Sequence, residues 1–137
     1  MHELVVGILT YDRPNLLWQT LLKLSIALEF SPVKPFIIGL IDLLPDGNCN
    51  PEVFNLMKNG PVKIDNLIVA DKNLGCNQSV YEILSQCFNI GKRICYIEDD
   101  ILVCWDYFIW MIEKFNQYEN DEKVSFLLPF SRGLNGK

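Results

Sequence analysis

The chain is predicted to form an α/β domain with a mostly parallel sheet and helices on both faces. Three observations lead there. Short apolar runs recur with stretches of helical spacing between them, which is the pattern of βαβ units. The runs lack polar alternation, as strands covered on both faces do. Each of the first four also ends in polar residues. With 137 residues, half of them hydrophobic, the sequence has the length of one domain, 1–137, and enough apolar content for a core. The architecture is Rossmann-like.

Leu4-Val5-Val6-Gly7-Ile8-Leu9 is the first run, and strands are expected at about 4–10, 36–41, 66–70 and 93–98, parallel to one another. Pro14 suits a first helical turn, and Leu17, Leu21, Leu24 and Leu28 repeat at helical spacing behind it. Asn50 as N-cap, Pro51 in the first turn and Asn59-Gly60-Pro61 as a stop bracket a second helix. Val80, Ile83, Leu84 and Cys87 predict a third over 78–88, closed by Gly91. Trp105, Phe108, Ile112 and Phe115 predict a fourth over 105–118, and Val124 to Leu128 reads as a fifth strand.

Charge and cysteine usage narrow the function. With 17 acidic against 12 basic residues the net charge is −5, and no Lys/Arg-rich block exists to follow a nucleic-acid backbone. The five cysteines show no C-x-x-C spacing and read as reduced, mostly buried thiols. The first apolar run is too short for a membrane segment and lacks a basic flank, so a cytoplasmic chain without a membrane segment is expected. The lone histidine, His2, falls at a terminus expected to be mobile, which removes histidine triads and His-rich metal sites. Neither G-x-G-x-x-G nor G-x-x-x-x-G-K-[ST] occurs.

The acidic triplet Glu98-Asp99-Asp100 stands at the end of Ile94-Cys95-Tyr96-Ile97. Three adjacent carboxylates cannot all be buried without a cation, because a desolvated, unpaired carboxylate costs several kcal/mol. Mg²⁺ and Mn²⁺ use one or two protein carboxylates and complete their shells with water and phosphate oxygens. The triplet thus suggests a metal-assisted phosphate site. A solvated acidic turn would explain it alone, but Thr10-Tyr11-Asp12-Arg13, Asp42 and Asp71-Lys72-Asn73 close the other three strands. In a parallel sheet these four clusters share the carboxyl edge, where such sheets bind ligands.

The succession of Gly7-Ile8-Leu9-Thr10-Tyr11-Asp12-Arg13-Pro14, Asp71-Lys72-Asn73-Leu74-Gly75 and Tyr96-Ile97-Glu98-Asp99-Asp100, followed by Trp105-Asp106-Tyr107-Phe108, resembles the nucleotide-sugar-binding half of GT-A fold glycosyltransferases. It is similar to family 2-like enzymes and to the N-acetylglucosaminyltransferase I type, over roughly residues 4 to 130. The resemblance implies a nucleotide-diphosphate sugar as ligand and Mn²⁺ or Mg²⁺ as cofactor. Thr10, Tyr11 and Arg13 would lie against base and ribose, Asp42 would help hold the nucleoside, and Lys72 and Asn73 would serve the same substrate. Asp99 would contact the ribose, Asp100 would ligate the metal, and Glu98 would assist in its outer shell.

The sequence departs from that pattern as well. The acceptor-binding half that normally follows is missing, and no carboxylate beyond Glu122 remains as general base. The chain is therefore expected to bind donor and to transfer sugar poorly alone. A longer chain or a partner subunit would complete the acceptor site, docking at Phe126-Leu127-Leu128-Pro129-Phe130, and a homo-oligomer is a further expected form of the chain. The acceptor itself is unknown. Two other readings fit clustered acids on a βα repeat: a phosphoacceptor receiver-like signalling domain, and a catalytically inactive nucleotide-sugar-binding module.

Overall fold

Strand and helix alternate over residues 1–129, which a computed structural model describes. The elements are β1 (His2–Thr10), α1 (Pro14–Glu29), β2 (Phe36–Ile41), α2 (Pro51–Asn59), β3 (Asn66–Val69), α3 (Cys76–Ile90), β4 (Gly91–Glu98) and α4 (Tyr107–Tyr118). The four strands are parallel throughout, in the order β3-β2-β1-β4. Gly7 of β1 lies opposite Ile38 of β2 and Tyr96 of β4.

Successive side chains of a strand point to opposite faces, and β1 feeds two cores. Leu4, Val6 and Ile8 pack with Leu17, Leu21 and Leu24 of α1, Val53 and Met57 of α2, and Phe108 and Met111 of α4. Val5 packs on the other face with Ile38, Leu40 and the α3 residues Ile83 and Cys87. Covering both faces explains the unbroken apolar runs. Gly7 lets α3 come close, since a Cβ there would stand 2.7 Å from the Cys87 sulfur.

Local chemistry fixes the helix ends. Pro14 opens α1, and Asn50 caps α2 by accepting from the N–H groups of Glu52 at 2.9 Å and Val53 at 3.2 Å. Gly60 closes α2, its N–H reaching the Leu56 carbonyl at 2.9 Å. The third helix starts at Cys76, two positions before the expected Gln78, behind Gly75 at φ 78°. It ends at Ile90 and Gly91 already belongs to β4, with no connecting residue between them. Trp105 precedes α4 in a turn instead of opening the helix.

Three expectations are corrected. Val124 to Leu128 forms no strand: the Val124 N–H closes a turn onto the Asp121 carbonyl at 3.0 Å, and Phe126 and Leu128 are each 74% exposed. Apolar composition reports affinity for a covered surface, whereas a strand also needs a neighbouring ladder, and none pairs with this segment among the described residues. Phe130, the last residue of the run expected to dock a partner, lies outside the described residues. His2 belongs to β1, pairs with Gly91 and stacks on Phe36 with ring centroids 4.3 Å apart. Of the cysteines only Cys87 and Cys95 are buried; Cys76 and Cys104 are exposed because each falls at or before the start of a helix on the surface. No helix among the described residues is long and apolar enough to cross a membrane.

Candidate functional site

The strand order reverses between β1 and β4, and in open α/β sheets the crevice outside the carboxyl ends at such a point receives ligands. The loop after β1 and the turn after β4 meet there. Asp99 is 2% exposed, and its Oδ2 accepts from the Thr10 hydroxyl at 3.1 Å and from the Tyr11 N–H at 3.3 Å. Arg13 lies across two carboxylates, Nη2 donating to Asp99 Oδ1 and Nη1 to Asp100 Oδ2 at 2.9 Å. Five residues of the sequence-derived site, Thr10, Tyr11, Arg13, Asp99 and Asp100, thus form one cluster. A buried carboxylate is sustained only when charge and hydrogen-bond partners surround it, and Asp99 has both.

Arg13 is about half exposed and Asp100 is 39% exposed, so their pair sits at the rim. Desolvation works against the Arg13 cation, but Asp99 and then Asp100 outweigh it and raise its pKa above the ordinary value. Thr20, which sequence reasoning did not single out, completes the support. Its buried hydroxyl donates to the Asp99 carbonyl at 2.9 Å, tying α1 to the turn. The available signal was a threonine on the leucine-lined, core-facing stripe of α1.

Glu98 is engaged beside this cluster by the Tyr96 hydroxyl, which donates to Glu98 Oε1 at 2.9 Å. Burial, and after it the hydrogen bond and charge of Glu98, push the Tyr96 phenol far above its usual range, so it remains a donor.

Asp42 and Asn73 form a second constellation on the far side of β1. The buried Asp42 carboxylate accepts from Leu43 N–H at 2.9 Å, Leu74 N–H at 2.8 Å and Gly75 N–H at 3.0 Å. The Asn73 amide donates to the Leu43 carbonyl at 2.6 Å. Both clamp the loop before α3 onto the end of β2. Thr10 joins the two constellations, because its carbonyl also takes the Asp42 N–H at 3.0 Å. Lys72 is exposed and makes no hydrogen bond or ion pair among the described residues.

For a divalent cation the open oxygens are Asp100 Oδ1 and Glu98 Oε2, since their partners on the same carboxylates accept from Arg13 and Tyr96. No three His, Cys, Asp or Glu side chains converge as a metal-holding group among the described residues. Such a donor set fits Mg²⁺ or Mn²⁺ only where water and phosphate supply the other ligands. The chain matches no family model, and neither a curated protein nor a solved structure matches it.

Proposed function

We propose that the chain binds a nucleotide-diphosphate sugar at the carboxyl ends of β1 and β4, where Asp100 would hold Mg²⁺ or Mn²⁺, in the service of glycosyl transfer. The observation that carries this reading is the division of roles within the triplet. Asp99 is buried and fastens Thr10, Tyr11 and Arg13, while Asp100 stays at the rim with one oxygen open. A bound cation would supply Lewis-acid stabilisation of the leaving diphosphate. Tyr11 offers a partly exposed ring to a base, and Arg13 a guanidinium suited to phosphate. Asp99 contributes by holding both in place.

Strand order supports this reading over a receiver-like one. Receiver domains follow the order 2-1-3-4-5, with β1 between β2 and β3. Here β1 lies between β2 and β4, as in dinucleotide-binding sheets, and the acids follow β4.

One observation favours a second form of the reading, an inactive module that binds without metal: Arg13 already spans Asp99 and Asp100, where a cation would act. Thermal-shift and calorimetric titrations with UDP, GDP and their sugars, in Mn²⁺ and in EDTA, separate the two, because a ligand of the native state raises its stability. Binding that needs Mn²⁺ and vanishes in Asp100→Ala supports the metal-dependent form. Equal binding in EDTA and in Asp100→Ala supports the metal-free form. No binding of any nucleotide overturns both.

A further inference from the structure

A groove of about 620 Å³ runs between α1 and α2, lined by Asn15, Trp18 and Gln19 from one helix and Glu52, Asn55 and Leu56 from the other. Each set has helical i, i+3, i+4 spacing, so each forms a single face. With Pro14, which also lines it, the groove combines the Trp18 indole and the apolar Pro14 and Leu56 with three carboxamides and a carboxylate. Trp18 is 44% exposed. Among the described residues the side chains of Asn15, Trp18, Gln19 and Glu52 form no hydrogen bond, and that of Asn55 only accepts one, at Oδ1 from the Asn59 amide at 3.0 Å. Both helices begin at the carboxyl edge of the sheet, and their starts are braced by the Asn50 amide donating to Asp12 at 2.6 Å. The groove is lined from both helices and uses none of the residues of the Arg13 cluster.

We propose that this groove is a carbohydrate-binding site, taking a pyranose ring on Trp18. The face of a pyranose presents C–H groups with slight positive charge, and the indole face is negative. Sugar hydroxyls both donate and accept, as carboxamides do, and a carboxylate accepts from two hydroxyls at once. Asn15, Gln19, Asn55 and Glu52 supply these groups around the ring. Glu52 is the one charged lining residue, which disfavours phosphate and other anions.

The full chain is titrated in EDTA with cellotetraose, chitotetraose and maltotetraose, and with choline chloride as a cationic control, following backbone amide resonances. At least one saccharide is expected to saturate in the millimolar range and to shift the amides of Asn15, Trp18, Glu52 and Asn55. Trp18→Ala should weaken it about tenfold or more, and Gln19→Ala severalfold, while Asp100→Ala leaves it unchanged. Gln19 is exposed, so its variant decides the matter if Trp18→Ala fails to fold. Three results overturn the proposal: no saturable saccharide, or choline alone binding; shifts confined to Thr10 to Arg13 and Glu98 to Asp100; or undiminished affinity in the folded variants. None of these bears on metal-dependent nucleotide binding, which EDTA suppresses.

Discussion

Thr10 and Asp99 stand 89 residues apart in the chain, yet the hydroxyl of one donates to the carboxylate of the other at 3.1 Å inside the protein. The bond joins the last residue of β1 to the first residue after β4, and it makes Asp99 a structural acid before it is anything else. Asp99→Ala should cost about 1–3 kcal/mol, the penalty for leaving the buried Thr10 hydroxyl and the Tyr11 N–H without an acceptor. The contact with half-exposed Arg13 adds little to that, being screened by solvent. Asp100→Ala should stay within about 0.5 kcal/mol, as a rim substitution. Urea denaturation of the two variants checks the order, and equal effects would contradict it.

Asp42 should act on the loop before α3. In Asp42→Ala the N–H groups of Leu74 and Gly75 lose their acceptor, so their amide exchange should accelerate and stability fall by about 1–3 kcal/mol. Asp42→Asn keeps one acceptor oxygen and should fall between. Protection at Gly75 unchanged in Asp42→Ala would refute this role.

Gly7→Ala should separate α3 from the sheet. The added methyl would meet the Cys87 sulfur at 2.7 Å and Ile83 Cγ1 at 3.2 Å, an overpacking that costs about 1–3 kcal/mol. Cys87→Ala opens room at that point. The double variant should therefore be less destabilised than the sum of the singles, and strict additivity in a double-mutant cycle would show the contact to be slack.

Alkaline pH should destabilise the protein through its buried thiols, in addition to the phenols of Tyr96 and Tyr107, which burial also raises. Burial raises Cys87 from 9.0 to about 11, and burial, partly offset by a hydrogen bond with Tyr107, raises Cys95 from 9.0 to about 12. Above pH 9.0 the unfolded chain releases these protons while the folded chain keeps them. The unfolded state then binds fewer protons, so stability falls as pH rises. The contribution is complete below pH 9.0 and declines up to about 12. Urea midpoints measured under reducing conditions across this window should decline, and less steeply in Cys95→Ala. Identical slopes in the two proteins would assign the decline to other groups.

The residues that were legible in advance are those whose chemistry is local. Asn50-Pro51 announces a helix start because capping needs only neighbours in sequence, and β1 announces burial because both its faces are apolar. Pairing is not local. Val124 to Leu128 has the composition of a strand, but nothing in its own residues says whether a neighbouring ladder is there to receive it. The same limit applies to the site. That Asp99 and Arg13 would share an edge followed from the parallel sheet, whereas the inward turn of Asp99 toward Thr10, the hidden bond from Thr20 and the use of Asp42 as a backbone clamp depend on side-chain directions set by packing. Thr20 looked like one more residue of a leucine-rich helix, and only its place on the buried stripe could have marked it.

The seamless passage from Ile90 to Gly91 makes α3 and β4 a single mechanical member. Loops usually absorb small displacements, and here there is none to do so. Gly91 is also boxed in, since a Cβ there would lie 2.6 Å from Val5 Cγ2. One end of this rod is gripped by Asp42 through Gly75 and the other end delivers Glu98 and Asp99. The loop before α3 and the acidic turn after β4 are thus the two ends of one segment with no loop inside it. The two constellations that flank β1 are linked twice, once directly through Thr10 and once by this long return path.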